Sequence, residues 1–159
     1  MGGRQAMIIL ALRTDKPKAE LYLYEDKKEL GQLKWQAHRE LSSTIHKQID
    51  KILNPRTKIS KLRNPITDYS ARDLVRGKQV FSLGDIGGIV CFKGPGSFTG
   101  LRIGLSVANA LAYVTNIPIV ARKGDDWLEQ GIKNLQAGKN DKIAVPYYDR
   151  LAATTQPKK

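Results

Sequence analysis

The chain has 159 residues, 41% of them hydrophobic and 26% charged, a composition that supports one folded domain and excludes wholesale disorder. Its single cysteine, Cys91, excludes an internal disulfide, and its apolar runs are shorter than the roughly 20 residues of a membrane-spanning helix. We therefore expect a globular cytoplasmic protein with no membrane partner. Residues 1–6 are expected to be disordered or a remnant of cloning, and the apolar run that follows indicates a buried strand rather than a secretory leader.

Positive charge is concentrated in one segment of the chain. The formal net charge is +12, from 27 basic and 15 acidic residues, and half of the excess lies in residues 51–80. Prolines and turn-forming residues indicate that 54–80 is a basic insertion without regular structure. Two interpretations remain open: a solvated loop, or a contact with the backbone phosphates of a nucleic acid. The candidates for such contacts are Arg56, Lys58, Lys61 and Arg63.

The spacing of apolar residues predicts an α/β fold with a mixed sheet. Strands are predicted at 7–12, 19–25, 30–36, 87–92 and 117–120, and helices at 38–53, 101–114 and 125–136. The first three strands form an antiparallel meander in this prediction. The continuous apolar run at 87–92 is typical of a parallel strand that is covered on both faces.

A glycine-rich turn separates the strand at 87–92 from the next helix. It lacks the lysine of a Walker loop and the third glycine of a dinucleotide fingerprint, so the residues alone favour tight packing over phosphate binding. Ser97 and Thr99 are expected to cap the helix rather than act as nucleophiles. Two interpretations of Arg102 remain open: it binds an anion, or it pairs with a carboxylate of a partner protein. The candidate residues of this turn are Gly94, Pro95, Gly96, Ser97, Phe98, Thr99, Gly100 and Arg102.

Elsewhere in the sequence, the histidines, the cysteine and the tryptophans do not indicate a metal site or a catalytic site. His38 and His46 share a helix without a further ligand, so we predict no metal site. Cys91 lies within an apolar strand and is expected to be inert core, and Trp35 and Trp127 are expected to pack. We predict no catalytic residue in this chain.

The run GPGSFTGLRIG at 94–104 resembles the signature of the TsaB family, formerly called YeaZ. The resemblance covers about 7–53 and 82–121, and the tail VPYYDR at 145–150 is similar to the family's late Pro-x-Tyr-x-Arg element. It implies a ribonuclease-H-like, actin-like (ASKHA) fold. It also implies that 7–121 is the first domain of the family and that 122–159 is a reduced remnant of the second domain with a tail.

The resemblance further implies a non-catalytic subunit that pairs with TsaD in making N6-threonylcarbamoyladenosine at position 37 of tRNA. TsaE joins that pair, ATP and metal belong to the partner subunits, and tRNA is a partner only indirectly. Without TsaD, the same helices would form a homodimer. The alternative is a standalone basic protein that binds nucleotide or RNA without TsaD.

In the family, TsaB and TsaD associate through helices of their first domains. Here the helix at 38–53 has an apolar stripe and the helix at 101–114 has small residues, a combination suited to close helix packing at an interface. We therefore predict a partner interface on both helices. Its candidate residues are His38, Leu41, Ile45, Ile49, Leu101, Leu105, Ala108 and Ala112.

One departure from the superfamily bears on chemistry. The first strand normally ends in an Asp-Thr-Ser-like turn whose aspartate helps to hold a hydrated metal, whereas this chain has Arg13-Thr14-Asp15. Arginine cannot ligate a metal, so this chain is not expected to hydrolyse nucleotides.

Overall fold

The computed structural model describes residues 5–55 and 80–148, and these ranges contain one five-stranded sheet and three α-helices. The strands are β1 Ile8–Arg13, β2 Lys18–Glu25, β3 Lys28–Gln36, β4 Ile86–Phe92 and β5 Ile119–Arg122. The helices are α1 Leu41–Leu53, α2 Phe98–Thr115 and α3 Trp127–Gln136, with 3-10 turns at His38–Glu40 and Leu83–Asp85. Every predicted element is confirmed, with ends displaced by a few residues.

The sheet has the order β3-β2-β1-β4-β5. β1, β2 and β3 pair antiparallel, which confirms the predicted meander, and β4 pairs parallel with both β1 and β5. The carboxyl ends of β1, β4 and β5 therefore meet at one edge of the sheet. In sheets of this kind that edge is where ligands ordinarily bind.

Helices cover both faces of the sheet. Leu10 and Leu12 of β1 enter the core beneath α1 and α2, whereas Ile9 and Ala11 enter the core beneath α3. Because both sets of side chains are buried, β1 shows an unbroken apolar run instead of alternation. Trp127 packs in the α3 core, as predicted.

The predicted interface on α1 and α2 requires a correction. The apolar stripe of both helices is buried against the chain's own sheet, so these side chains do not form an exposed seam. The buried residues are Leu41, Ile45, Ile49, Leu101, Leu105, Ala108 and Ala112. Gly104 likewise meets Thr14 after β1 and not another helix. The stripe is the ordinary consequence of covering a sheet with an amphipathic helix.

The boundary predicted after residue 121 falls at the end of β5, ahead of α3. α3 packs against β4 and β5, and Ile132 and Leu135 share a core with Val90 and Val120. α3 is therefore part of the same folded unit as the sheet. None of the described helices is both long and apolar enough to cross a membrane.

Gly131 provides a test of the contact between α3 and β4. A β-carbon at this position would overlap the buried side chain of Val90. Glycine to alanine in a helix normally stabilises by about 0.5–1 kcal/mol. Here we expect Gly131→Ala to lower the free energy of unfolding by about 1–3 kcal/mol in urea denaturation, because the side chain overpacks the core.

The control is Lys133→Ala, an exposed position on the same helix, which should change stability by less than about 0.5 kcal/mol. A Gly131→Ala variant more stable than the wild type would contradict this packing.

Candidate functional site

The glycine turn lies at the carboxyl edge of the sheet, between β4 and α2. Ser97 is the N-cap of α2, and its Oγ accepts a hydrogen bond from Gly100 N at 3.2 Å, which confirms its predicted capping role. Gly94 has a φ of +120°, a conformation that favours glycine. The other predicted residues of the turn, Pro95, Phe98, Thr99 and Arg102, are exposed.

The turn packs directly on residues 14 and 15, which follow β1. A β-carbon at Gly96 would overlap Asp15, and a β-carbon at Gly100 or Gly104 would overlap Thr14. Thr14 Oγ1 donates to Gly100 O at 2.7 Å, and Ser97 N donates to Asp15 O at 3.0 Å. The close approach predicted for these glycines is thus real, and the surface they approach is the turn after β1.

Arg13 neutralises the carboxylate in this turn. Its Nε and Nη2 donate to the two carboxylate oxygens of Asp15 at 2.7 and 3.2 Å, and the guanidinium lies 3.9 Å from the centroid of the Phe92 ring. The Asp15 side chain is only 4% exposed. Burial opposes the charged form of Arg13, but the hydrogen bond and charge of Asp15, together with the charges of Glu20 and Tyr22, outweigh it, so the pKa of Arg13 is raised. Both oxygens of the carboxylate are occupied within the chain.

Residues 140–148 are here called the strap, and the first two of them bond to the outer edge of β5. Asn140 Oδ1 accepts from Ile119 N at 3.1 Å, and Asp141 Oδ2 accepts from Ala121 N at 2.8 Å. Asp141 also pairs with Arg122 at 2.7 Å. Side chains of the strap thereby satisfy backbone donors of an edge strand, which would otherwise be open to pairing with another chain.

Further along, the strap is held against α2 and the glycine turn. Asn109 Nδ2 donates to Ala144 O at 2.9 Å, and Ala144 N donates to Asn109 Oδ1 at 2.7 Å. Tyr147 N donates to Lys93 O at 2.7 Å, and a β-carbon at Gly94 would overlap Tyr147 O. The positive φ and the missing side chain of Gly94 are therefore both used.

Sequence reasoning did not find the strap contacts or the Arg13–Asp15 pair. Asn109 is a half-buried amide in an otherwise mostly apolar helix, and this contrast was the available signal. Of the remaining predicted residues, His38 is exposed before α1, and Cys91 is buried, which raises the pKa of its thiol and supports the inert-core interpretation. Arg56, Lys58, Lys61 and Arg63 lie outside the described residues.

Comparison with known proteins supports the resemblance stated above. Residues 77–122 match the protein family TsaD, tRNA N6-adenosine threonylcarbamoyltransferase. Over 37 residues the chain is 54% identical to the tRNA threonylcarbamoyladenosine biosynthesis protein TsaB of Bacillus subtilis (strain 168), a match that covers 23% of this chain and 16% of that protein.

Two solved structures that match this fold are YeaZ or are described as similar to it. YeaZ from Pseudomonas aeruginosa aligns with a TM-score of 0.52 and 21% identity over 79% of this chain and 50% of its own. A protein described as similar to the peptidase YeaZ from Pseudomonas aeruginosa aligns with the same score and identity over 74% and 43%. This chain is similar to TsaB (YeaZ) proteins. The expected ASKHA-like fold is confirmed, and the chain spans half or less of the length of these relatives.

The Arg13–Asp15 pair yields a stability prediction. Arg13→Ala leaves a buried carboxylate without its partner, so we expect the free energy of unfolding at neutral pH to fall by roughly 2–4 kcal/mol. Adding Asp15→Asn should recover much of that loss, because the unpaired charge is then removed. Urea denaturation of both single variants and the double variant measures the coupling.

The Arg122–Asp141 pair is the control, because it is more exposed and its coupling energy should be about 1 kcal/mol or less. The coupling is measured from Arg122→Ala, Asp141→Asn and the double variant, since Arg122→Ala alone also removes hydrogen bonds to Asn134 and Ala121. Equal coupling energies for the two pairs would refute a special role for the buried pair.

Proposed function

We propose that this chain is a non-catalytic subunit that pairs with TsaD in forming N6-threonylcarbamoyladenosine in tRNA. The TsaB and TsaD relatives support a part in this modification pathway. TsaE joins the larger complex, tRNA is reached through the partners, and the chain self-associates when TsaD is absent. Catalysis, ATP and metal are assigned to the partners.

The closed carboxyl edge of the sheet is the observation that supports the non-catalytic role in this proposal. In this superfamily an aspartate in the turn after the first strand helps to hold the hydrated metal of a nucleotide. Here Gly96 touches Asp15 directly, and Arg13 holds both carboxylate oxygens. A cation beside that carboxylate repels a metal ion, so these residues do not fit a nucleotide–metal complex.

The outward faces of α1 and α2 replace the buried stripes as the proposed contact surface for TsaD. Side chains on these faces are exposed while their neighbours hold the fold. They are Ser42, His46, Lys47 and Asp50 on α1, and Arg102, Ser106, Ala110, Tyr113 and Val114 on α2. His38 precedes the same face of α1. Ile45→Asp and Leu105→Asp would therefore test folding rather than pairing, because both side chains are buried.

The net charge of +12 favours a second candidate, a basic protein that binds RNA on its own. In either case Arg56, Lys58, Lys61 and Arg63 are proposed phosphate contacts. Binding of tRNA by the isolated chain at physiological salt, unchanged by TsaD, would favour this candidate. Failure to bind TsaD would favour it further.

Ala110→Glu tests the surface proposed for TsaD. Ala110 is exposed on α2, so the fold should tolerate a carboxylate that would be desolvated in the complex. We expect the dissociation constant for the cognate TsaD, measured by isothermal titration calorimetry, to rise about tenfold or more, equivalent to at least about 1.4 kcal/mol. tRNA modification reconstituted with limiting subunit should fall in parallel.

Lys133→Glu, on the opposite face of the sheet, is the control and should bind TsaD as the wild type does. Unchanged binding by Ala110→Glu would place the interface elsewhere. A wild-type chain that neither binds TsaD nor stimulates modification would contradict the proposed function, and hydrolysis of ATP by the chain alone would contradict its non-catalytic part.

A further inference from the structure

Large apolar side chains are exposed on α2 and on the strap beside it. Tyr113 and Val114 are 88% and 80% exposed, and Ile143 and Val145 are 65% and 62% exposed. These are the four highest exposures among the large hydrophobic residues that the structure describes. We call this set the apolar ridge. Apolar side chains that cluster on a surface indicate a site that another molecule covers.

The strap lies beside α2, so the two halves of the ridge stand on neighbouring segments of the chain. Tyr148 packs against Phe98 at the start of α2, with 4.4 Å between ring centroids, and Ala144 is bound by Asn109 further along. The strap therefore runs antiparallel to α2. Ala144 is buried while the residues on either side of it point outward, as alternation in an extended segment requires.

In this direction Ile143 lies on the side of Ala144 toward Tyr113 and the end of α2, whereas Val145 lies on the side toward the start of the helix. The side chain of Asn109 fixes this register, because it bonds both the N–H and the carbonyl of one strap residue. The ridge is thus built on a fixed segment of backbone.

The charges around the ridge indicate its occupant. α2 and residues 139–148 carry three exposed cations, Arg102, Lys139 and Lys142, and the one carboxylate in these ranges, Asp141, is paired with Arg122. A second copy would bring the same cations against this surface. RNA would suit the cations but would leave exposed aliphatic side chains against a polar backbone. A protein surface with an apolar centre and an acidic rim complements both features.

We infer that the strap forms a docking surface together with the end of α2, and that its occupant is an apolar, acid-rimmed surface of TsaD. This inference rests on the proposed function. It adds to the helix faces a contact segment from the end of the described chain. Arg102, Lys139 and Lys142 steer the encounter, and the apolar ridge supplies the buried contact.

The experiment compares wild-type protein with the Ile143→Glu/Val145→Glu double variant in titrations with cognate TsaD. Both side chains are exposed, so melting temperatures should match, while the dissociation constant should rise about tenfold or more as carboxylates meet an apolar and acidic surface. Leu83→Glu, the same type of change at an exposed position off the ridge, should stay within about twofold of wild type.

Two further variants test separately the position of the strap and the positive charge beside the apolar ridge. Asn109→Ala removes both hydrogen bonds to Ala144 without altering the ridge, and it should weaken binding severalfold because the strap loses its register. Lys142→Glu should slow association and reduce the dependence of the association rate on salt, since rim charges act mainly on the encounter.

If wild-type protein binds TsaD and the double variant binds equally well, this inference is overturned while the proposed function stands. If wild-type protein does not bind TsaD, both are overturned. Self-association that the double variant abolishes, measured by analytical ultracentrifugation, together with unchanged binding of TsaD by that variant, would assign the ridge to a second copy and overturn the assignment to TsaD. Equal weakening by Leu83→Glu would also overturn it.

Discussion

The contact between the turn after β1 and the glycine turn before α2 closes the carboxyl edge of the sheet, and the rest of the site depends on it. Asp15 is buried beneath the glycine turn, and a buried carboxylate requires a partner that satisfies its charge. Arg13 supplies that charge from two residues away, and the ring of Phe92 supports the guanidinium. Gly96, without a side chain, leaves room for this arrangement. The sheet edge where ligands commonly bind is closed by the chain itself.

Because the chain itself closes this edge of the sheet, a partner must bind to the outer surfaces of the molecule. The sheet buries the apolar stripes of α1 and α2, so any partner meets their polar faces and the apolar end of α2. This arrangement fits a subunit that acts by association better than one that holds a nucleotide. Residues 77–122, which match the TsaD family, contain this glycine turn and helix.

The strap covers the outer edge strand of the described sheet. Asn140 and Asp141 satisfy the backbone donors of β5, and Tyr147 closes over Gly94. Edge strands with open donors invite pairing with other chains. The strap prevents such pairing, and its outward residues leave an apolar surface that remains available for contact.

The sequence by itself determined the strands, the helices and their order, because the period of apolar residues differs between a strand and a helix. It also determined the close approach at Gly96 and Gly100, since only a residue without a side chain suits such a turn. What covers the stripe of Ile45 and Leu105 was decided by the tertiary structure: an amphipathic face has the same period whether it meets its own sheet or a partner. The Asn109–Ala144 contact joins residues 35 apart, and the Arg13–Asp15 pair depends on how one turn folds. Both arise only when packing brings the groups together and burial requires that their polar atoms be satisfied.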